Sequence, residues 1–287
     1  DYVTSISPEG TTDWGLGDWI PYKAVSNPEL TSSVFYYVTA DILAKAAGMK
    51  GHDDECRQYG MLAEKIKGAI NDKFLDRGKG IYCDGTQTEL SVPLFWGVVP
   101  DDIRPLVAEN LHKRVEADGF HLDVGVHGAR ALLCALSENG YAQTAYRVAS
   151  QETFPSWGYW IVNGATTFYE NWRIDVDKDA SYNHIMYGEI CAWFYKGLGG
   201  IYPGTPGFRH IEFRPNFVNG LDRFSADHVS PFGKISSEWR RDGSEVTCRL
   251  NVPPGSTATF HYPPEAVRYG QRVELASGGH TITVKLK

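Results

Sequence analysis

The chain is short of several features that would have set its chemistry quickly. Its 287 residues include only five cysteines, an odd number scattered along the chain with no CxxC spacing. That pattern indicates neither a disulfide framework nor a cysteine zinc site, and most of the thiols are expected to be small buried hydrophobes. No apolar run reaches the roughly eighteen residues of a membrane-spanning helix, so no membrane partner is expected. No basic stripe is present, and the net charge is −7 with a pI near 5.7, which argues against nucleic acid. No glycine-rich phosphate loop, GxSxG elbow or HExxH helix occurs, which removes nucleotide-binding, serine-hydrolase and zinc-hydrolase readings. The nine histidines are dispersed, and His121 and His127 do not stand at a ligand spacing. No metal and no cofactor is therefore expected. No signal peptide opens the chain, and Asp1 stands where Met would. A processed or truncated product is expected, and its compartment (periplasmic, secreted or cytoplasmic) is not set by the sequence.

Aromatic residues are plentiful, with 16 Tyr, 13 Phe and 8 Trp. Such a content suits sugar-binding clefts and large aromatic cores alike. The densest stretch is residues 154–172, FPSWGYWIVNGATTFYENW. Two glycines and a proline interrupt it, so it is not one regular helix or strand. Glu170 lies in it between Tyr169 and Trp172, with Trp157 and Trp160 nearby. A carboxylate walled by rings is either poised for proton transfer or a surface residue beside a packed cluster. A second constellation, DWGLGDW at 13–19, places Asp13 and Asp18 beside Trp14 and Trp19. It reads as a loop facing a cleft or as a turn that buries two tryptophans. His184 in SYNHIMYGE opens an apolar segment. It either donates hydrogen bonds to a ligand or packs locally.

Helical periodicity governs the first two thirds. Asn27-Pro28 starts a helix with Leu30, Val34, Tyr37, Val38, Ile42 and Ala46 inward, ending at Gly48 or Gly51. A second starts near His52, with Tyr59, Leu62, Ala63, Ile66 and Ile70 inward. Further helices are predicted over 88–99, 102–117, 124–139, 141–151 and 182–198. Pairs joined by short turns suggest a barrel of helical hairpins with its site built from loops. From about Gly199 the pattern changes. Short alternating runs such as HIEFRP, GKISSEWRRDG and SEVTCRLNVP replace helical spacing, and Asp242-Gly243 signals a hairpin. The fold class expected is mainly α, an apparently incomplete (α/α)6 barrel over 1–200 followed by an antiparallel β-sandwich over 201–287. Paired carboxylates with aromatic walls are the residue set of glycoside hydrolysis: one activates water, the other protonates the leaving oxygen.

Six ordered segments then resemble one family. They are DWGLGDW at 13–19, HLDVGVHGARALLCALSENG at 121–140, AYRV at 145–148, PSWGYWIVNGATTFYENW at 155–172, SYNHIMYGEICAWFYKGLGGI at 181–201 and HVSPFGKISSEW at 228–239. Together they resemble the bacterial glycoside hydrolase family 78 α-L-rhamnosidases. The resemblance implies an (α/α)6 barrel with a C-terminal β-sandwich, and inverting hydrolysis of terminal α-L-rhamnosides. It implies that Glu170 is the general base and that His184 contacts rhamnose. Trp14 and Trp19 are implied to line the pocket, with Asp13, Asp18 and Trp160 the remaining substrate-binding candidates. The partner implied is a rhamnose-containing oligosaccharide, polysaccharide or glycoside. The family's general acid lies in a segment before the one matched at 13–19, so it is expected upstream of this chain. About seven or eight helices are read where six hairpins need twelve, so uncovered apolar faces and homo-oligomerisation are expected. The alternatives are a carbohydrate-binding or inactive fragment, another (α/α)6 glycosidase, or a sugar phosphorylase. The last needs a phosphate site near Glu170, and the sequence shows none.

Overall fold

The computed structural model describes residues 2–175 and 180–287. They divide into two compact units, 1–139 with 147–187, and 140–146 with 188–287. The helices are α1 (Tyr2–Ile6), α2 (Pro28–Lys50), α3 (Asp53–Phe74), α4 (Gln87–Phe95), α5 (Arg104–Ala117), α6 (Val126–Glu138), α7 (Ala142–Ala149), α8 (Trp157–Val162) and α9 (Glu189–Trp193). A small hairpin, β1 (Leu75–Asp76) and β2 (Ile81–Tyr82), sits between α3 and α4. No helix of the described residues is long and apolar enough to cross a membrane.

Local signals explain most helix ends. Asn27 caps α2, its side-chain oxygen accepting from the Glu29 and Leu30 amides at 2.9 and 3.2 Å, and Pro28 fills the first helical position. Gly51 ends α2 in the left-handed conformation at φ 74°, where a side chain would be strained. The chain turns back there, and α3 packs along α2. Leu30, Val34 and Val38 are buried as their spacing predicts, but Ile42, Leu43 and Ala46 are exposed. The apolar stripe of α2 thus outruns the cover that the described residues give it.

Helix α4 is the hub of the first unit. Every residue from Gln87 to Leu94 is buried. Four of these are polar, and three of them hold loops. Gln87 donates to the Asp118 carboxylate and the His121 carbonyl, and accepts from the Asp123 amide. Thr88 donates to Asp18. Glu89 accepts from the Asn27, Asp84 and Thr86 amides, and with Thr86 it closes a capping box. Each bond satisfies a buried group that would otherwise cost about 1–3 kcal/mol.

The predicted helix over 182–198 is broken. A 3₁₀ turn (Ile185–Tyr187), the short α9 and a π-turn (Phe194–Leu198) replace it. Gly188 separates the first two. Around Gly197 a Cβ would come within 2.3 Å of the Trp193 indole nitrogen, so only glycine fits beside that ring. Apolar content alone therefore overstated the regularity of this segment.

The second unit is a β-sandwich. One sheet runs β10–β7–β6–β5 and the other β3–β4–β8–β9. The strands are β3 (Ile201–Pro203), β4 (His210–Phe213), β5 (Arg223–Ser230), β6 (Gly233–Asp242), β7 (Glu245–Val252), β8 (Thr257–His261), β9 (Arg272–Leu275) and β10 (Gly278–Lys285). Asp242 pairs with Glu245 across the turn that Asp242-Gly243 predicts. All pairs are antiparallel except β4 with β8, which is parallel. Alternate residues of both sheets, among them Ile211, Phe213, Ile235, Trp239, Val246, Leu250, Phe260 and Val284, fill one core. Trp239 is fully buried and its indole N–H donates to the Leu198 carbonyl at 2.9 Å.

The β3–β4–β8–β9 sheet also carries a charged cluster around Glu212. His261 and Arg214 meet its Oε2, and His210 lies 3.6 Å from Oε1. Burial pushes the Glu212 carboxyl up, but the bond from His261 and the charges of His261 and Arg214 outweigh it, leaving the pKa below the usual 4.5. A depressed folded-state pKa stabilises the fold above the unfolded value and loses that contribution as pH falls. Glu212→Gln should therefore lower the melting temperature at pH 7. The gap to the parent should narrow as pH drops below 4.5, read by thermal melts across pH. An equal gap at pH 3 and pH 7 would contradict this.

Candidate active site

The long aromatic stretch is mostly core. Trp157, Trp160, Trp172 and Tyr187 pack as one cluster, with Trp160 stacked on Trp172 at 4.9 Å and 17°. Each indole N–H is spent on backbone: Trp157 on Tyr187, Trp160 on Trp172 and Trp172 on Val124. Tyr187 donates its hydroxyl to the Ile20 carbonyl. Burial first, then the charges of Asp18 and Glu170, push the Tyr187 phenol well above its ordinary value, so it stays a neutral donor. Trp160 lines the smaller of two nearby cavities, but at 2% exposure and with its N–H committed it offers that cavity only a narrow face.

Glu170 is half-buried on the loop after α8. Its amide donates to the Ser181 carbonyl at 2.9 Å, and its Oε2 accepts from the Ser181 amide at 2.9 Å. Thr167 donates to the Tyr182 carbonyl, and the His184 amide donates to Phe168 at 2.8 Å. The segments 167–170 and 181–184 are thus laced together. No protein donor reaches the other carboxylate oxygen, Oε1, among the described residues.

Two cavities adjoin this region. The larger, about 750 Å³, is lined by Trp14, Trp19, Phe35, Tyr36, His127 and Met186 among others. The smaller, about 460 Å³, is lined by Trp160, Ile161, Thr166, Phe168, His184 and Ile185 among others. His184 and Ile185 line one cavity and Met186 the other, so residues 184–186 lie between the two. Neither described lining contains a carboxylate.

The structure places the loop candidates differently from one another. Trp14 and Trp19 are 61% and 52% exposed and stand together on the larger cavity. Asp13 is exposed on the same loop. Asp18 points the other way and is 8% exposed. Its Oδ1 accepts from the His127 and Gly128 amides at 2.7 and 3.2 Å, and its Oδ2 from the Gly125 amide at 2.7 Å and from Thr88. Four donors fill the roughly four lone-pair positions of a carboxylate. Asp18 is thus an anchor for the open N-terminus of α6 and not a free substrate ligand, which corrects the expectation. The approach is close: a Cβ on Gly125 would lie 2.3 Å from the Trp19 carbonyl oxygen. Gly125→Ala should accordingly destabilise the chain by about 2 kcal/mol or more, read from urea melts. A loss under about 0.5 kcal/mol would mean that the loop relaxes freely.

His184 precedes the 3₁₀ turn instead of opening a long helix. Its Nδ1 accepts from the Met186 amide at 3.0 Å, which leaves Nε2 as the donor nitrogen. His121 bonds Thr153 through Nε2 at 2.7 Å. Sequence reasoning weighed His127 only as a metal ligand and passed over the polar opening of α4. The Thr86-x-x-Glu89 spacing was an available signal for the latter, whereas nothing local marks His127 as a cavity residue.

Paired helices with an aromatic cavity in one unit, and an antiparallel-dominated β-sandwich in the other, are the parts of a glycosidase-type scaffold. Residues 1–198 match the bacterial alpha-L-rhamnosidase 6 hairpin glycosidase domain, and residues 200–277 match the bacterial alpha-L-rhamnosidase C-terminal domain. The chain belongs to the bacterial α-L-rhamnosidase family. It is 31% identical to an α-L-rhamnosidase of Streptomyces avermitilis over 94% of the chain and 28% of that protein. It is 28% identical to one of Formosa agariphila over 87% of the chain and 28% of that protein. The chain thus spans under a third of the length of these relatives. The crystal structure of the Streptomyces avermitilis α-L-rhamnosidase complexed with L-rhamnose superposes with a TM-score of 0.90 at 29% identity, covering 99% of the chain and 29% of the other. The Dictyoglumus thermophilum α-L-rhamnosidase gives 0.90 at 28% identity, covering 99% and 35%.

Proposed function

We propose that this chain serves the inverting hydrolysis of terminal, non-reducing α-L-rhamnose, with Glu170 as general base. Residues 1–200 would carry the chemistry and 201–287 an accessory sandwich. The observation that carries the reading is the state of Glu170. One oxygen is fixed by the Ser181 amide, the other meets no described protein donor, and the loop abuts the wall between two cavities. A carboxylate oriented in that way can take a proton from water attacking the anomeric carbon. Trp14 and Trp19 offer exposed rings for the apolar face and 6-methyl group of rhamnose, and His184 Nε2–H is a donor for a sugar hydroxyl. The acid of an inverting pair stands roughly 6.5–9.5 Å from the base, across the sugar. Asp18 is consumed by four protein donors, which supports an acid other than Asp18, supplied from outside residues 1–287.

Two measurements test this. Calorimetry should detect binding of L-rhamnose to the 287-residue chain, and the same chain should show little or no turnover of an aryl α-L-rhamnoside. Robust turnover would place the acid within these residues, with exposed Asp13 its first candidate. Product followed by NMR from the full-length enzyme should appear first as the inverted anomer, and the retained anomer would overturn the mechanism. Rhamnose binding with no turnover in the full-length protein would favour a carbohydrate-binding role instead.

A further inference from the structure

The larger cavity holds one residue that the reading above leaves without a role. We propose that His127 is a specificity-determining residue of this cavity, accepting a hydrogen bond at its unprotonated ring nitrogen from a hydroxyl of the bound sugar. The proposal rests on the sugar-binding reading of the site and adds a recognition contact to it.

The position of His127 is fixed by the loop that carries the tryptophans. Its amide donates to Asp18 Oδ1 at 2.7 Å, and the neighbouring Val126 amide donates to the Trp19 carbonyl at 3.0 Å. The imidazole lies 4.4 Å from the Phe35 ring, tilted by 43°, and both rings line the cavity with Trp14 and Trp19. Burial pushes the imidazole pKa below its ordinary value, against smaller opposing effects from the Asp18 charge and the Gly17 carbonyl. A neutral imidazole has one N–H and one acceptor nitrogen. No described residue donates to either ring nitrogen of His127, so the acceptor nitrogen of the neutral imidazole is open to a ligand in the cavity.

The rest of the lining gives this acceptor its weight. Most of it is apolar, and several of its hydroxyls are committed. Tyr36 donates to Thr4 at 3.0 Å, and Thr39 donates to the Phe35 carbonyl at 2.8 Å. A site that accepts from one hydroxyl disfavours an analogue lacking it, because the buried acceptor is then left unpaired. The imidazole thus reads a hydroxyl while the tryptophans read the ring face.

The test uses the 287-residue chain with L-rhamnose, L-fucose and D-mannose as probes. Histidine side-chain ¹⁵N NMR of the parent should show the His127 acceptor nitrogen shifting on L-rhamnose binding. His127→Phe keeps a ring against Phe35 and should weaken L-rhamnose binding roughly 10- to 100-fold. His127→Gln restores an acceptor and should recover most of that loss. Parent-like rhamnose affinity in His127→Phe would overturn the proposal while leaving the rhamnoside reading intact. If L-rhamnose fails to bind but another probe binds and depends on His127, the proposal stands and the rhamnoside reading falls. If no probe moves the His127 resonances, the proposal is overturned, and this readout does not depend on how the variants fold.

Discussion

Glu170→Gln in the full-length enzyme should lower turnover of an aryl α-L-rhamnoside by about 10²–10⁴-fold, the usual contribution of acid–base catalysis. The variant isolates chemistry from folding. Glutamine has the same shape, and its side-chain oxygen can still accept from the Ser181 amide, so the lacing of 167–170 to 181–184 survives. What is lost is the ability to take a proton from the attacking water. The loss should therefore fall on kcat, with KM little changed, because the sugar is held by rings and hydroxyl contacts. Binding of L-rhamnose by calorimetry should stay close to the parent value. Near-parental kcat would remove Glu170 from the base's role. A large rise in KM at unchanged kcat would recast it as a binding residue.

Asp18→Ala should cost about 3–5 kcal/mol of stability, the largest effect expected of any single side chain on this loop. The carboxylate caps α6 through three amides and receives the Thr88 hydroxyl. Removing it orphans four donors at once, at a place where Gly125 packs against the Trp19 and Asp18 backbone and Gly128 against the Thr88 and Val124 side chains. Asp18→Asn should recover only part of the loss. Its oxygen can serve one side, but its amide group would face donors on the other. Urea denaturation followed by tryptophan fluorescence reads both variants. A loss under about 1 kcal/mol for the alanine variant would show that the loop is not anchored there. Trp19 should also lose its place, so rhamnose affinity should fall together with stability.

Local chemistry in the sequence was enough for much of the architecture. Asn27-Pro28 and Gly51 bound α2 because caps act within a few residues of the chain. Asp242-Gly243 turns β6 into β7 for the same reason. The six ordered motifs indicated the family, and Trp14 and Trp19 share a cavity as their loop pattern suggested. Two readings failed where distant parts of the chain decide. Asp18 could not be told from Asp13 in DWGLGDW, because its partners lie 70 to 110 residues away on α4 and α6. Trp160 does line a cavity, but stacking on Trp172 and a bond to its carbonyl leave it only 2% exposed. Residues 182–198 are apolar enough for one helix, yet they form a 3₁₀ turn, the short α9 and a π-turn, with Gly197 close against the Trp193 ring. What the sequence determined by itself was most of the elements, the family and the residue types of the proposed sugar site, since periodicity, caps and motifs are short-range. Only the tertiary structure decided which carboxylate is an anchor and which is free, because burial and hydrogen-bond satisfaction depend on neighbours that chain order does not reveal.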